Sequence, residues 1–464
     1  MDGSVRFAVA GNPIAHSISP KIFYKLFESA KISGFYSRIA ADSFEEAIEV
    51  ARMAGITGLN VTSPFKEEAA VCPIYSTLYP QTIPADRTAM SPSGDSAPKN
   101  YKLVGKLMAA NTVVLLQDLI ALFNTDYLGV YESIKNLFPA TAQRAKKAFV
   151  VGAGGAGVAA AYGLSLAGFN VTVFNRSVSK AFEKIKWIQN CAAADLNDIN
   201  KQIHDADIIV NALPVNDILF DLAKVKKDAI IFDANYKNSV LIKSAAEMGL
   251  QTISGLKWLV NQALYSFALF TRAMLPDNVF DLFTEENLVY DKKSNVSLIG
   301  FMGSGKTSAG KIVADLFKTD FIDIDKEIEK QEKMSIDDIF KNKNENYFRQ
   351  LEKRITELVF NNEKGKVIAC GGGAVKDNEN RKIIAANSFP VWLISPPDVS
   401  IKRIEDDSRP LLNSGNKQEE ALKLFNERID FYGAASSLII DSSKRSPLDI
   451  AKKLYEEISP VFKR

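Results

Sequence analysis

Residues 147–177 read KAFVVGAGGAGVAAAYGLSLAGFNVTVFNRS, and this stretch decides how the middle of the chain folds. A short apolar run leads into Gly152-x-Gly154-x-x-Gly157, and a segment of small residues follows. In such a strand–turn–helix unit the first glycine permits the tight turn, the second lets the backbone approach a pyrophosphate, and the third allows close packing of the helix on the sheet. The pattern predicts a dinucleotide-binding domain, although a tight turn without a ligand would have a similar sequence.

The end of the following strand indicates which dinucleotide binds. An acidic residue about 20 residues after the glycines binds the ribose 2′-hydroxyl of NAD, whereas an arginine there fits the 2′-phosphate of NADP. This chain has Asn175-Arg176-Ser177 at that place. The sequence therefore predicts NADP(H), and an ordinary solvated arginine is the alternative. The predicted cofactor-binding residues are Gly152, Gly154, Gly155, Gly157, Asn175, Arg176, Ser177 and Lys180.

A second nucleotide-binding motif lies in residues 295–317, NVSLIGFMGSGKTSAGKIVADLF. It matches G-x-x-x-x-G-K-[ST] in full, after an apolar run and before a helical pattern. In such a loop, backbone N–H groups cradle the phosphates of ATP, the lysine reaches the transferring phosphoryl group, and the threonine binds magnesium. The predicted ATP-binding residues are Gly303, Ser304, Gly305, Lys306, Thr307 and Ser308, with Lys306 catalytic and Thr307 a ligand of Mg²⁺.

The composition of the chain indicates its general class and its number of domains. The chain has 464 residues, of which 47% are hydrophobic and 24% charged. This is globular composition, and at roughly 150 residues per domain it predicts about three domains. Lys and Arg total 57 against 55 Asp and Glu, so the net charge of +2 gives no electrostatic case for nucleic acid or a membrane surface.

Cysteine and histidine are scarce, with three and two residues. These numbers argue against a disulfide framework and a structural zinc site, and they favour a reducing compartment. Neither a signal peptide nor a membrane span is visible in the pattern. We therefore expect a soluble, cytoplasmic protein whose partners are small-molecule substrates. The sequence says nothing of the oligomeric state.

Short apolar runs alternate with longer helical patterns along the whole chain, which predicts an α/β fold with parallel sheets. Two segments interrupt this alternation. Residues 72–100 contain five of the 17 prolines and are expected to form a long loop. Residues 288–294, LVYDKKS, precede a new strand and are expected to belong to an interdomain linker at 286–294.

Several motifs before residue 285 resemble shikimate dehydrogenase in the family's order. They are GNPIAHSISP (11–20), GLNVTSPFK (58–66), AANT (109–112), NTDYLG (124–129), the glycine motif above and GLKWLVNQA (255–263). The resemblance implies a substrate-binding domain at 1–130, completed by a helix at about 256–285, and a Rossmann NADP domain at 131–255. It implies Lys66 and Asp126 as the catalytic pair. The substrate-binding residues that it implies are Ser17, Ser19, Asn60, Thr62, Asn111, Tyr236 and Gln262.

This pair suits the reduction of a ring ketone. A hydride reaches the carbonyl carbon from NADPH, and a lysine beside a carboxylate can stabilise the nascent alkoxide and relay a proton to it. Without the surrounding motifs, Lys66 would be read as a surface lysine and Asp126 as a helix cap. The chain departs from the family in a longer interval between Lys66 and Asn111, and in Phe23-Tyr24, where the family commonly has His-Asn.

Residues 295–464 resemble shikimate kinase, on the P-loop and the motifs DID (323–325), YFRQLE (347–352), CGGGA (370–374), RPLL (409–412) and RIDFY (428–432). The resemblance implies a P-loop α/β kinase domain. It implies Asp325 as a catalytic residue that orients the substrate hydroxyls, Asp323 toward Mg²⁺, and Arg409 on the nucleotide phosphates. It implies substrate binding by Asp325, Arg349, Gly372, Gly373 and Arg428, where both arginines would otherwise be read as solvated helix charges. The chain departs from the family at Asn344, where glycine is usual.

Together the two resemblances imply a bifunctional enzyme of the shikimate pathway of aromatic amino acid biosynthesis. It would reduce 3-dehydroshikimate to shikimate with NADPH, and phosphorylate shikimate to shikimate 3-phosphate with ATP. Two alternatives stay open at this point. One is a dehydrogenase that accepts quinate and uses NAD, and the other is a binding or regulatory protein that recognises shikimate without turnover.

Overall fold

The structure, a computed structural model, describes residues 4–72, 100–116, 120–138, 146–273, 279–284, 288, 292–404 and 417–462. The predicted loop at 72–100 lies outside these residues except at its two ends. Most of the predicted linker and Arg409 also lie outside them. Within the described parts of the chain, no helix is both long and apolar enough to cross a membrane.

The strands, numbered along the chain, are β1 (Val5–Gly11), β2 (Gly34–Ala40), β3 (Gly58–Val61), β4 (Thr112–Leu115), β5 (Ile120–Phe123), β6 (Lys147–Val151), β7 (Asn170–Asn175), β8 (Cys191–Asp195), β9 (Ile208–Asn211), β10 (Ile230–Asp233), β11 (Gln251–Ile253), β12 (Asn295–Ile299), β13 (Phe321–Asp323), β14 (Val367–Ala369), β15 (Ser388–Ile394) and β16 (Leu438–Asp441).

The α-helices are α1 (Ser19–Ala30), α2 (Phe44–Met53), α3 (Phe65–Val71), α4 (Asn100–Leu107), α5 (Asp126–Ile134), α6 (Gly155–Leu166), α7 (Val178–Ile185), α8 (Ile199–Gln202), α9 (Val240–Glu247), α10 (Gly255–Thr271), α11 (Lys306–Phe317), α12 (Ile324–Glu332), α13 (Ile336–Asn362), α14 (Asn378–Asn387), α15 (Pro397–Lys402), α16 (Lys417–Ala435) and α17 (Pro447–Ile458).

The chain divides into two compact units, one made of Met1–Ser63 with Leu288–Arg464 and the other of Pro64–Asn287. The strands of the first unit lie in the order β13–β14–β12–β15–β16–β2–β1–β3, and their pairings are parallel. Central strands such as β15 are buried along their whole length. Burial on both faces explains why they read as continuous apolar runs.

Within the first unit, residues from the start of the chain join residues from its end. Ile39 of β2 lies opposite Ile439 of β16. The guanidinium of Arg6 donates two hydrogen bonds to the carboxylate of Asp430, at 2.6 and 3.0 Å. A β-carbon at Gly433 would lie 2.3 Å from the ring of Phe35, so only glycine fits this contact. The N-terminal segment therefore packs against the C-terminal region as part of one core.

The second unit contains a six-stranded parallel sheet in the order β11–β10–β9–β6–β7–β8, and an antiparallel hairpin of β4 and β5. This sheet order is that of a doubly wound dinucleotide fold, which binds ligands where the strand order reverses, at the carboxyl ends of the strands. Here that point lies between β6 and β9. Apolar clusters cover both faces of the sheet. The predicted fold class, α/β with parallel sheets, is confirmed.

The observed boundaries differ from the predicted ones in two places. The predicted first domain spans 1–130, whereas the first compact unit takes only residues 1–63 of that range. The helix predicted at about 256–285 ends at Thr271, because Arg272 adopts a left-handed conformation with φ of 62°. The family-based domain limits therefore stay a prediction.

Candidate active sites

Lys66 and Asp126 meet in the second unit. Lys66 lies in the first turn of α3 and Asp126 begins α5, and the lysine Nζ is 2.7 Å from the carboxylate Oδ2. The Asp126 side chain is 7% exposed and that of Lys66 23%. A charge pair with this little solvent is stronger than a surface pair, and the ammonium stays open enough to reach a ligand.

On its other side, the Asp126 carboxylate contacts the hydrogen-bonded side-chain amides of Asn111 and Gln262, which we call the amide chain. Asn111 Nδ2 lies 2.9 Å from Asp126 Oδ1 and 3.0 Å from Gln262 Oε1. The indole of Trp258 donates to the Asp126 carbonyl at 2.9 Å. The structure thus brings together Lys66, Asp126, Asn111 and Gln262, which are far apart in sequence.

The same cluster contains hydroxyl groups that the sequence did not single out. Thr125 Oγ1 lies 3.0 Å from Asn111 Nδ2, and Thr112 Oγ1 lies 2.8 Å from Ser266 Oγ. These hydroxyls are buried and tie the hairpin and α10 to the amide chain. Thr112 and Thr125 stand inside the quoted motifs, so their motif positions were the signal that could have found them.

Ser17, Ser19 and Asn60 form a polar cluster in the first unit. Ser17 Oγ donates to Ser19 Oγ at 3.2 Å, and the Tyr36 hydroxyl donates to Asn60 Oδ1 at 2.8 Å. Burial raises the pKa of Tyr36 well above its usual value, so this hydroxyl stays protonated and acts as a donor. Tyr36 thus belongs to this polar cluster, although the sequence did not single it out.

Two of the predicted substrate residues have fewer described contacts. Thr62 follows β3, and its methyl group lies 2.7 Å from where a β-carbon on Gly11 would stand. Tyr236 follows β10 and is half-buried, with the ammonium of Lys237 5.6 Å from its ring centre. Their predicted roles stay a prediction.

The glycine turn of the second unit has the geometry that a pyrophosphate needs. A β-carbon on Gly157 would stand 2.0 Å from the Gly152 carbonyl oxygen, which shows why only glycine fits. Gly154 caps α6 in an extended conformation, with no side-chain hydrogen bond over the helix start. The cradle therefore fits a dinucleotide phosphate at the helix N-terminus.

The end of β7 presents basic side chains to solvent. Arg176 and Lys180 are exposed, and Ser177 caps α7. Asn175 Nδ2 donates to the Ser177 carbonyl at 3.0 Å, which fixes the turn. Two exposed cations at a helix start can bind a phosphate monoester.

The phosphate-binding loop of the first unit connects β12 to α11. Lys306 Nζ donates to the carbonyls of Gly300 and Phe301, both at 2.9 Å, so the lysine folds back over the loop. A β-carbon on Gly303 would stand 2.1 Å from the Ser400 carbonyl oxygen, and its φ is 73°. The loop geometry thus depends on glycine, and a loop that leads into a helix N-terminus in this way can hold phosphates through backbone N–H groups.

Thr307 and Asp323 form the predicted magnesium position. The Thr307 hydroxyl donates to Asp323 Oδ2 at 2.8 Å, while Asp323 Oδ1 accepts from the Asp325 N–H at 3.1 Å. Mg²⁺ prefers oxygen ligands and keeps several water molecules, so a hydroxyl and a carboxylate beside nucleotide phosphates fit it. No group of three or more His, Cys, Asp or Glu side chains that could hold a metal ion occurs among the described residues.

The acidic and basic residues predicted for the kinase substrate meet beside the glycines after β14. A β-carbon on Gly371 would lie 2.7 Å from Asp325 Oδ1, and a β-carbon on Gly373 would lie 2.2 Å from Arg349 Nη1. Arg428 Nη1 donates to the Gly372 carbonyl at 3.1 Å. Arg428 is 2% exposed, and its Nε has no hydrogen-bond partner among the described residues. A buried guanidinium with an unused donor fits a carboxylate ligand.

Glu352 lies in the middle of this cluster, although it was not among the predicted site residues. Its Oε2 accepts from Arg349 Nη1 at 2.7 Å, and its buried Oε1 has no hydrogen-bond partner among the described residues. Burial raises the pKa of Glu352 to about 7, although Arg349 favours the ionised form. Its place in the YFRQLE motif was the signal for it.

Asn344 marks a kink inside α13, with φ of 77° and ψ of 169°. Its Oδ1 accepts from the Tyr347 N–H at 3.1 Å, so the side chain caps the helix segment that follows. This segment carries Arg349 toward the glycines. The backbone conformation is one that favours glycine, which is the residue that the family usually has here.

We expect Asn344→Gly to stabilise the protein by about 1 kcal/mol, because relief of the backbone strain exceeds the few tenths of a kcal/mol lost with the cap. Thermal unfolding checks this. The control is Asn342→Gly, at an exposed position with helical backbone, which should cost a few tenths of a kcal/mol. If both variants shift the midpoint in the same direction, the strain at Asn344 is disproved.

Three family models match the chain. "Shikimate dehydrogenase substrate binding domain" matches residues 9–78, "Shikimate / quinate 5-dehydrogenase" matches 133–242, and "Shikimate kinase" matches 302–459. A shikimate kinase of Persephonella marina is 41% identical over 165 residues, which is 35% of this chain and 98% of the relative.

Solved structures resemble the dehydrogenase part. A shikimate dehydrogenase from Aquifex aeolicus is 26% identical with a TM-score of 0.50, and the match covers 63% of this chain and 99% of that one. A quinate dehydrogenase from Corynebacterium glutamicum has a TM-score of 0.50 at 23% identity, over 61% of this chain and 98% of that one. At this identity the second match shows the fold alone.

Proposed function

The chain belongs to the shikimate kinase family through its C-terminal region and carries both domains of a shikimate dehydrogenase, and from this we propose that one polypeptide reduces 3-dehydroshikimate and phosphorylates the product. The observation that carries the proposal is that both sets of reactive groups are assembled. Lys66 contacts Asp126 in the second unit, and Lys306 and Asp323 flank a phosphate-binding loop in the first.

In the proposed reduction, NADPH supplies the hydride. Lys66 donates a hydrogen bond or a proton to the ketone oxygen as it gains negative charge, and Asp126 keeps that ammonium in place. Asn111 and Gln262 hold the pair and can bind ring hydroxyls. Ser17 and Ser19 are proposed to bind the substrate carboxylate. Burial of the amide chain excludes water that would compete for these contacts.

In the proposed phosphorylation, MgATP supplies the phosphoryl group, and Thr307 with Asp323 would hold the metal. Lys306 stabilises the charge on the transferring group. Asp325 orients the shikimate 3-hydroxyl and accepts its proton, and Arg349 and Arg428 bind the substrate carboxylate. Arg409 is proposed for the nucleotide phosphates on its motif alone, because it lies outside the described residues.

Separate assays of both reactions on the purified protein test this function. We expect NADPH oxidation with 3-dehydroshikimate and ATP-dependent formation of shikimate 3-phosphate from shikimate. Binding of shikimate without either turnover would favour the regulatory alternative. Faster turnover of quinate with NAD than of shikimate with NADP would favour the quinate alternative.

The cofactor preference is tested at Arg176. We expect Arg176→Ala to raise KM for NADPH by about tenfold and to change KM for NADH by less than about twofold, because a charge-assisted contact to the 2′-phosphate is lost. The control is Lys227→Ala, since Lys227 is exposed and precedes the amino end of β10, at the opposite edge of the sheet. An equal rise in KM for NADPH and for NADH would contradict the proposed preference for NADP.

The remaining parts of the proposal concern partners and location. Its partners are the small-molecule substrates, with no nucleic acid or membrane surface, and its compartment is the cytoplasm. The chain has only three cysteines, Cys72, Cys191 and Cys370, and this low number favours a reducing compartment.

A further inference from the structure

We propose that Glu457, on α17 of the C-terminal region, is a positioning residue for the dehydrogenase reaction, because it holds the backbone of the loop that carries Ser17 and Ser19. The inference rests on the proposed dehydrogenase function. It means that the region containing the kinase domain also supports the loop whose serines are proposed to bind the dehydrogenase substrate.

The contact is direct and buried. Glu457 Oε2 accepts hydrogen bonds from the backbone N–H groups of Ile14 and Ala15, at 2.7 and 2.9 Å. Glu457 is 1% exposed, and Ile14 and Ala15 are equally shielded from solvent. Hydrogen bonds to an ionised acceptor are stronger than neutral ones, and a low local dielectric strengthens them further.

The two anchored residues belong to the same turn as the first serine. The N–H of Ser17 donates to the Ile14 carbonyl at 2.9 Å. Ser17 Oγ in turn accepts from the Ser19 N–H at 3.3 Å. A shift of Ile14 and Ala15 therefore moves both serine hydroxyls.

A second anchor holds the far end of the turn. Arg38 donates two hydrogen bonds to the Ser17 carbonyl, from Nε at 2.9 Å and from Nη2 at 2.6 Å. Its remaining nitrogen, Nη1, donates to the Ser437 carbonyl at 2.9 Å. The loop is thus tied to the C-terminal region at both ends.

A packing role alone would favour an apolar side chain at this place. Burying a carboxylate costs several kcal/mol unless its hydrogen bonds compensate. Burial raises the pKa of Glu457, and its Oε1 has no hydrogen-bond partner among the described residues. What the carboxylate does contribute is an acceptor for two adjacent N–H groups, and this fixes the orientation of the loop.

The experiment compares Glu457→Met with Glu456→Met in the full-length protein. Methionine keeps the bulk of the side chain and removes the acceptor, and Glu456 is its exposed neighbour. Steady-state kinetics of both reactions and the thermal midpoint are measured. We expect E457M to raise KM for 3-dehydroshikimate about tenfold, with kcat, KM for NADPH and both kinase constants within about twofold of wild type. E456M should match wild type.

Glu457→Gln provides the rescue, because its amide oxygen can accept both N–H groups, so its KM should stay near that of wild type. An unchanged KM in folded E457M overturns the proposal, as does a parallel loss of both activities with a lowered thermal midpoint. If E457M does not fold, Glu457→Asp is used in its place, because the shorter side chain draws the carboxylate away from the N–H groups of Ile14 and Ala15. The same changes in KM then support or overturn the proposal. Wild type without dehydrogenase activity would instead reject the proposed function itself.

Discussion

Replacing Lys306 by alanine is expected to lower kcat for shikimate phosphorylation about a thousandfold, which corresponds to roughly 4 kcal/mol of transition-state stabilisation. The ammonium lies 2.9 Å from the carbonyls of Gly300 and Phe301, so it is already positioned over the phosphate-binding loop. Alanine removes this charge from the transferring group and leaves the glycine backbone intact. Coupled spectrophotometric assays of ADP release at saturating shikimate measure the effect.

The matched control is Lys311→Ala, which removes an exposed lysine from the same helix, α11. This variant should keep its phosphorylation rate. Both variants should reduce 3-dehydroshikimate at the wild-type rate, because Lys66 and Asp126, the pair proposed for the chemistry of that reaction, belong to the other compact unit. A loss of only a few-fold in Lys306→Ala would show that this lysine does not act on the transferring group.

Lys66→Ala is expected to lower kcat for the reduction of 3-dehydroshikimate about a thousandfold, because it removes the proposed proton donor and with it the charge proposed to stabilise the alkoxide. It also leaves the Asp126 carboxylate, whose side chain is 7% exposed, without its cation. Initial rates of NADPH oxidation at saturating substrate measure the loss.

Lys135→Ala is the control for this change. Lys135 follows α5, the helix that Asp126 begins, and pairs with Glu132 at 2.5 Å in an exposed position. Its loss should leave the rate of reduction unchanged, and phosphorylation should stay at the wild-type rate in both variants. A reduction rate for Lys66→Ala close to that of Lys135→Ala would exclude Lys66 from the chemistry.

The parts of the site that the sequence predicted are those encoded by short motifs. Gly152 and Gly157 lie in one turn, so their spacing alone defines the close approach that the structure shows. Thr307 directly follows the phosphate-binding loop, and Asp323 ends β13, the next strand along the chain. A parallel α/β fold places both at the carboxyl ends of its strands, where their side chains are in contact. Local geometry is thus sufficient for these contacts.

The contacts that the sequence did not predict join residues far apart in the chain. Glu457 and Ile14 are 443 positions apart, and no periodicity or motif connects them. Arg38 reads as an ordinary strand arginine, yet it is 5% exposed and holds Ser17. Such partners depend on tertiary packing, which only the assembled first unit provides.

Conversion of 3-dehydroshikimate to shikimate 3-phosphate by an equal mixture of Lys66→Ala and Lys306→Ala tests most directly that one chain carries two separate active sites. NADPH and MgATP are supplied, and the final product is quantified. Neither variant alone should form it above background. The mixture should form it, because shikimate released by Lys306→Ala is phosphorylated by Lys66→Ala. An inactive mixture of well-folded variants, or full conversion by either variant alone, would contradict the account.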